Sequence, residues 1–346
     1  MPSPSACRIP GACAALILAL VANSAGASPA LPRMPDGHAD LSGVWTNASV
    51  THLTRPRSVA KLALSPAEAV AYEKSDGMVR RIAGDSKPSD PNAGAPGEGD
   101  PGGYNTFWLD PGQKLSVVRG EIRTSWLVDP PDGQLPLSDA GRALIRQTYA
   151  GRDLDHPPGP ETLEPWDRCL IASRGSGGPG MLNNIYNSNY QLMLTPGALM
   201  IEVEMIHDVR SIPILPSKAA AQAAHGPVAL HPWLGDSTAW WEGQTLVVET
   251  VNVRREQGAA GPIYLSPTGR VTERLTRAST DQILYEFAVD DPVYYSRPWR
   301  AEMSLNALKD PLYEYACHEG NYAIVGILRG TRQGEAAATA AGPGGR

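Results

Sequence analysis

The chain has 346 residues and a formal net charge of −6, with 36 acidic against 30 basic side chains. That mild acidity argues against nucleic acid as a partner. Beyond the first residues no segment is long and apolar enough to span a bilayer, so stable membrane insertion is not expected.

The chain opens with a targeting pattern. Arg8 supplies a weak positive region, residues 12–22 are apolar, and Ala25-Gly26-Ala27 fits the small-residue cleavage rule. This predicts a signal peptide over 1–27, a mature chain from Ser28, and a periplasmic or secreted protein. Cys7 and Cys13 leave with the signal, while Cys169 and Cys317 remain in an oxidising compartment. One disulfide is the expectation, and a reactive or metal-binding pair is the alternative. Closing so long a loop contributes about 4–5 kcal/mol in the chain-entropy view.

Residues 28–330 read as a single mainly β domain, with a mobile loop at 87–103 and a disordered tail at 331–346. Gly43-Val44-Trp45 on an early strand resembles the opening of lipocalin-like barrels. Ser65-Pro66-Ala67-Glu68 carries a capping box with proline at the first helical position, predicting a helix to about Ile82. Strands are expected at 104–110 and 121–129, then a turn at Asp129-Pro130-Pro131-Asp132-Gly133 and a helix from Ser138 to about Tyr149. Further strands are expected at 190–194, 199–205, 207–212, 245–253, 269–277, 282–290 and 297–305. Tyr313 to Tyr315 closes the set, and 320–329 is a final helix. The β-branched run at 245–253 is taken as a central strand. Many short strands with short links define the fold class: mainly β, an antiparallel β-barrel or sandwich (lipocalin/calycin-like) with a few peripheral helices and long loops.

Gly175-Ser176-Gly177-Gly178-Pro179-Gly180 formally matches G-x-G-x-x-G. Pro179 and the polar run behind it cannot form the helix a dinucleotide site requires, so no nucleotide cofactor is expected. There is no G-x-S-x-G elbow either.

Several motifs stand in a recognisable order. They are Pro35-Asp36-Gly37, the 129–133 turn, Arg168-Cys169-Leu170, Glu204-Met205-Ile206-His207-Asp208, Trp233-Leu234-Gly235-Asp236-Ser237, Trp241-Glu242-Gly243-x-Thr245-Leu246-Val247-Val248-Glu249-Thr250, and Tyr313-Glu314-Tyr315-Ala316-Cys317-His318-Glu319-Gly320-Asn321. Over residues 31–330 the chain resembles a large family of exported bacterial proteins to which no activity is assigned. The resemblance implies an exported, mainly β protein in which Cys169 and Cys317 belong to the shared pattern. It implies no reaction, cofactor or catalytic residue. Thr238-Ala239-Trp240 stands where that family usually carries Arg or Gly.

Two polar clusters are candidates for chemistry. If 199–212 were one extended run, Glu202, Glu204, Asp208 and Arg210 would share a face, and Met205, His207 and Val209 the other. Lining a barrel, such charges would orient a ligand, and a carboxylate there could be held near neutral for acid/base work. A bulge near Met205-Ile206 would bring Glu204 and His207 to one side. A Cys169–Cys317 bond would gather His318, Glu319 and Asn321 beside Asn183, Asn184, Tyr186 and Asn187. Glu204, His207, His318 and Glu319 are thus the catalytic candidates. The ligand-binding candidates are Asn183, Asn184, Tyr186, Asn187, Arg210, Asp236, Trp241, Arg297, Trp299 and Asn321. His207, His318, Glu204 and Glu319 lack H-x-H or H-E-x-x-H spacing, so no metal is assigned. The functional expectation is cofactor-free acid/base chemistry, as a lyase, isomerase or hydrolase, on a small apolar or aromatic compound. The alternative is a lipocalin-type carrier without turnover. The sequence leaves the oligomeric state open.

Overall fold

The computed structural model describes residues 30–85, 109–149, 157–172 and 175–341. The expected signal peptide, the loop at 87–103 and most of the strand at 104–110 lie outside them. Contacts divide the chain into Met1–Ala30 and Leu31–Arg346, and the fold below is that of the second unit.

Among the described residues nine strands form the path of a ten-stranded main sheet: β1 (Gly43–Thr46), β6 (Asn189–Leu194), β7 (Ala198–Val203), β8 (Val209–Pro213), β9 (Asp236–Glu242), β10 (Thr245–Val251), β11 (Arg270–Arg277), β12 (Gln282–Asp290) and β13 (Trp299–Ala307). Their order is β8-β7-β6-β1-β13-β12-β11-β10-β9, with every named pairing antiparallel. The two ends then meet. Ile214 bridges Ala239 in the parallel sense, and the Leu215 N–H donates to the Ala239 carbonyl at 2.7 Å. The sheet is therefore a nearly closed barrel. An odd ring cannot alternate direction all the way round, so one parallel seam is unavoidable, and it falls between β8 and β9. A parallel neighbour needs a crossover, which residues 214–235 provide, with α4 (Lys218–Ala223) packed outside on Trp240 and Val247.

The architecture is thus the mainly antiparallel β fold read from the sequence. One detail differs. The run at 245–253 is second from the end of the path, and the hub is β13, which pairs with β1, β12 and the short β5 (Leu127–Asp129). β9 is a strand the sequence pattern did not announce, and residues 313–315 form none.

Period-two alternation fills the barrel. Leu192 and Leu194 on β6, Leu199 and Ile201 on β7, and Ile283, Tyr285, Phe287 and Val289 on β12 are buried. Trp45 packs among them and donates from Nε1 to the Leu41 carbonyl at 3.1 Å. A small sheet of β2 (Ala63–Leu64), β4 (Glu121–Arg123) and β3 (Val117–Val118) carries its own cluster against α1 (Pro66–Ser75) and α2 (Gly77–Asp85). α3 (Asp139–Tyr149) follows the 129–133 turn, and α5 (Arg255–Ala260) follows β10. At the C-terminal end, α6 (Cys317–Gly320) precedes α7 (Tyr322–Ala341). The tail expected from residue 331 therefore begins inside a helix, where alanines of high helical propensity outweigh Gly330 and Gly334.

Candidate functional site

The glycine-rich loop, which has no helix for a nucleotide, enters the barrel mouth instead. Met181 and Leu182 are buried in the main core. Asn47 Nδ2 donates to the Met181 carbonyl at 2.8 Å and to the Tyr190 hydroxyl at 3.3 Å. Tyr190 in turn donates to the Leu182 carbonyl at 3.3 Å. Gly178 has φ +85, and a Cβ there would lie 2.6 Å from Nη1 of Arg210. Glycine serves both the left-handed backbone and the close approach to a guanidinium.

That guanidinium belongs to a polar stripe across the inner wall. Arg210 on β8, Ser237 on β9, Thr250 on β10, Glu273 on β11 and Tyr285 on β12 are joined side chain to side chain. Arg210 Nη1 donates to Glu273 Oε1 at 2.9 Å and Nη2 donates to Oε2 at 2.5 Å. The Tyr285 hydroxyl donates to Oε1 at 2.5 Å, and the Gly180 N–H reaches the same oxygen at 3.3 Å. Only 3% of Arg210 and 1% of Glu273 is exposed, so both charges are out of water. Burial opposes ionisation of Glu273, but the facing Arg210 outweighs it and holds the carboxyl below the ordinary range. Burial raises the Tyr285 phenol well above its usual value.

Behind the loop lies Asp208, which follows the tight turn Met205–His207. Its Oδ2 accepts from the Ala172 N–H at 2.6 Å. Burial raises its pKa to about 6, against the opposing pull of that bond and of His207. A Cβ on Gly177 would stand 3.0 Å from Oδ2 and 3.0 Å from Leu234. Gly177, Ala172 and Leu234 also wall an apolar cleft with an enclosed volume of about 30 Å³, completed by Trp166, Val253 and Ile263. Gln257 pins this mouth: its Oε1 accepts from the Leu234 N–H at 2.7 Å and its Nε2 donates to the Gly178 carbonyl at 2.9 Å.

The 199–212 segment is a hairpin rather than one extended run. Ile206 and His207 take φ of 62° and 49° in the turn, so the alternation restarts. Glu202 pairs with Val209 on the outer face, and Ile201 pairs with Arg210 on the inner face. Of the four charges expected on one face, Arg210 faces the interior. The turn stands in place of the anticipated bulge. It leaves Glu204 buried and His207 exposed. Glu204 accepts from Asn189 Nδ2 at 2.6 Å and from the Tyr313 N–H at 3.1 Å.

Cys169 and Cys317 are bonded, with Cα atoms 5.8 Å apart. Around them the structure does bring together Glu204, the 183–187 loop and 313–321, but largely through contacts that hold the chain. Tyr186 stacks on Tyr315 with centroids 6.4 Å apart. Asn321 Nδ2 donates to the Asp167 carbonyl at 2.9 Å. Asn183 donates to the Ser49 carbonyl at 2.6 Å and accepts from Trp126 Nε1 at 2.9 Å. Asn184 accepts from the Ile185 N–H at 2.8 Å, and Asn187 takes φ 51° in the loop. His318 and Glu319 are exposed on α6.

The other ligand candidates are dispersed. Asp236 accepts from the Gly226 N–H at 2.7 Å and faces His225 Nδ1 at 3.2 Å. Trp241 stacks on His38 at 4.3 Å. Arg297 pairs with Asp129 at 3.1 Å on the surface, whereas Trp299 is core, edge-on to Phe287 and Tyr295. No group of three or more metal-ligating side chains occurs among the described residues, and no helix among them is long and apolar enough to cross a membrane. Glu273, Tyr285, Thr250, Ser237 and Gln257 were not in the sequence-derived site, and Asp208 entered it only as one of the four charges expected on a common face. Glu273 carried a signal: it shares the parity of Val271 and Leu275, where a strand packed on a core should be apolar.

Comparisons with models of protein families, with curated proteins and with solved structures found no match to the chain. The geometry defines a nearly closed antiparallel barrel, its mouth filled by a glycine-rich loop that seals a buried ion pair beside an apolar cleft.

Proposed function

We propose that the chain is an exported enzyme performing cofactor-free acid/base chemistry on a small apolar or aromatic molecule at the barrel mouth. Asp208 is its proton-transfer group. The observation that carries this reading is that carboxyl, raised to about 6 by burial beside an apolar wall of Ala172, Gly177 and Leu234. A group titrating near the working pH can both accept and deliver a proton. The apolar surround favours the neutral form, and the cleft, at about 30 Å³, must open to admit the compound, since small-molecule pockets start at about 300 Å³. Lyase and isomerase steps need no more than this, and a hydrolase would add an activated water.

Two further points support the reading. A lipocalin-type carrier needs room in the barrel, and here Met181 and Leu182 occupy the mouth. Gln257 ties two walls of the cleft together through the Leu234 N–H and the Gly178 carbonyl. The targeting pattern together with the disulfide supports a periplasmic or secreted location. The ordered motifs support membership of the exported bacterial family they resemble.

The test uses Asp208→Asn, which keeps the bond from the Ala172 N–H. Wild type and variant, purified from the export compartment, are extracted and compared by mass spectrometry. The variant is expected to retain a small apolar compound that wild type lacks or holds in converted form. Identical extracts contradict the proposal.

A further inference from the structure

Among the described residues four arginines are buried to 9% exposure or less: Arg55, Arg123, Arg210 and Arg277. Three have their charge or their nitrogens answered. Arg210 pairs with Glu273, and Arg123 with Glu302 and Glu121. Arg277 donates from all three nitrogens, to the carbonyls of Ser279, Asp40 and Thr280, and lies over the Trp45 ring. Arg55 is different. Its Nη1 donates to the Ala60 carbonyl at 3.0 Å and its Nη2 to the Pro131 carbonyl at 3.1 Å. Its Nε is buried without a hydrogen-bond partner, as are those of Arg123 and Arg210, but those two guanidiniums face carboxylates. Among the described residues no ion pair includes Arg55. A guanidinium 94% buried beside carbonyl dipoles alone is strongly undercompensated, because removing a charge from water requires a counter-charge to offset the loss.

The placement is built rather than incidental. Gly133, at φ +71, leaves room for the side chain: a Cβ there would lie 2.6 Å from Arg55 Cβ and 3.1 Å from Nε. The Arg55 N–H donates to the Gly133 carbonyl at 3.0 Å, and Gln134 Nε2 returns to the Arg55 carbonyl at 2.7 Å. Arg55 lines a surface depression of about 460 Å³, whose walls include Pro56, Val59 and Pro131. The exposed Arg57 adds a second positive charge there. The carboxylate in this lining is Asp132, whose Oδ1 accepts from the Gln134 N–H at 3.0 Å.

We propose that this depression is a binding site for a small organic carboxylate, separate from the cleft beside Asp208. Arg55 would meet the anion with the guanidinium N–H groups its two carbonyls leave free, and Arg57 would close over it from the rim. The forked N–H geometry suits a planar carboxylate. The proline and valine walls select an anion with an apolar body over inorganic phosphate.

The experiment titrates the ¹⁵N-labelled full chain with benzoate, and separately with phosphate at equal ionic strength. Benzoate is expected to move the Gly133 and Gln134 amides and the Arg55 Nε–H saturably, at least about tenfold more tightly than phosphate. Arg57→Gln should weaken benzoate severalfold. Val59→Asp places a carboxylate in the depression, so it should raise Tm and abolish the response. Should Arg55→Gln fail to fold, these two variants still decide the matter. The proposal is overturned by no saturable benzoate response up to about 50 mM, the weak end of specific binding, by phosphate binding as tightly, or by an unchanged response in Val59→Asp.

Discussion

Replacing Glu273 by glutamine leaves the shape of the inner wall intact and removes the carboxylate that balances the charge of Arg210. In the native chain Glu273 receives two N–H bonds from Arg210 and others from Tyr285, Thr250 and Gly180. With both partners almost fully buried, solvent cannot take over. Breaking one side of such a pair costs about 3–5 kcal/mol, most of it from the stranded cation. The double replacement Arg210→Met with Glu273→Leu strands no charge, only the Tyr285 and Gly180 donors, and should recover part of that loss. Urea unfolding at pH 7, followed by tryptophan fluorescence with the disulfide intact, measures all three variants. Glu242→Gln is the control, because its pair with Arg274 lies on the surface at 2.8 Å and should be worth no more than about 1 kcal/mol. The acid limb gives a second readout. Glu273 is held below its ordinary value, so its contribution is present above about pH 4.5 and fades as pH falls below it. The variant should lose that part of its acid sensitivity. A Glu273→Gln cost no larger than that of Glu242→Gln refutes the reasoning.

Asp208 has the opposite sign. Its folded pKa of about 6 stands above the ordinary 3.8, so the folded chain binds the extra proton, and stability falls as pH rises across that window. Asp208→Asn should gain up to about 3 kcal/mol at pH 7 relative to wild type, and nothing at pH 3.5, in the same urea assay. Removing the bond between Cys169 and Cys317, 148 residues apart, by paired serine substitution should cost about 5 kcal/mol in the chain-entropy limit, read from the urea midpoint. Glu204→Gln keeps both of its acceptor geometries only in part. It should cost about 1–3 kcal/mol and speed amide exchange at Tyr313, which donates to Glu204.

Local chemistry was legible where it acts within a few residues. The Ser65–Glu68 capping box is realised in both directions, at 2.9 Å and 3.4 Å. β12 occupies the bounds its alternation indicated. β9 was hidden, because Ala239, Trp240 and Trp241 run apolar on both faces, with α4 covering the outer one. The site was legible only in part for a related reason. Which face Arg210 takes depends on the turn at Ile206, a β-branched residue at φ 62° that carries no turn signature. Its partner Glu273 lies 63 residues on and is met only because β9 and β10 carry the wall across the parallel seam. Composition and spacing hold no record of that register. The link between Cys169 and Cys317 was legible from export and the cysteine count, and beside it Asn183, Asn184 and Asn321 bond to the backbone. Their side chains answer backbone groups, a role that sequence cannot separate from ligand binding.

The most direct measurement is a carbon-detected titration of the aspartate side-chain carboxyls, with Asp208 assigned by its loss in Asp208→Asn. Titration of Asp208 near pH 6, clearly above the exposed aspartates, is the expected result. A midpoint below about 4.5, in the ordinary aspartate range, would contradict a proton-transfer role for this carboxyl and with it the proposed function.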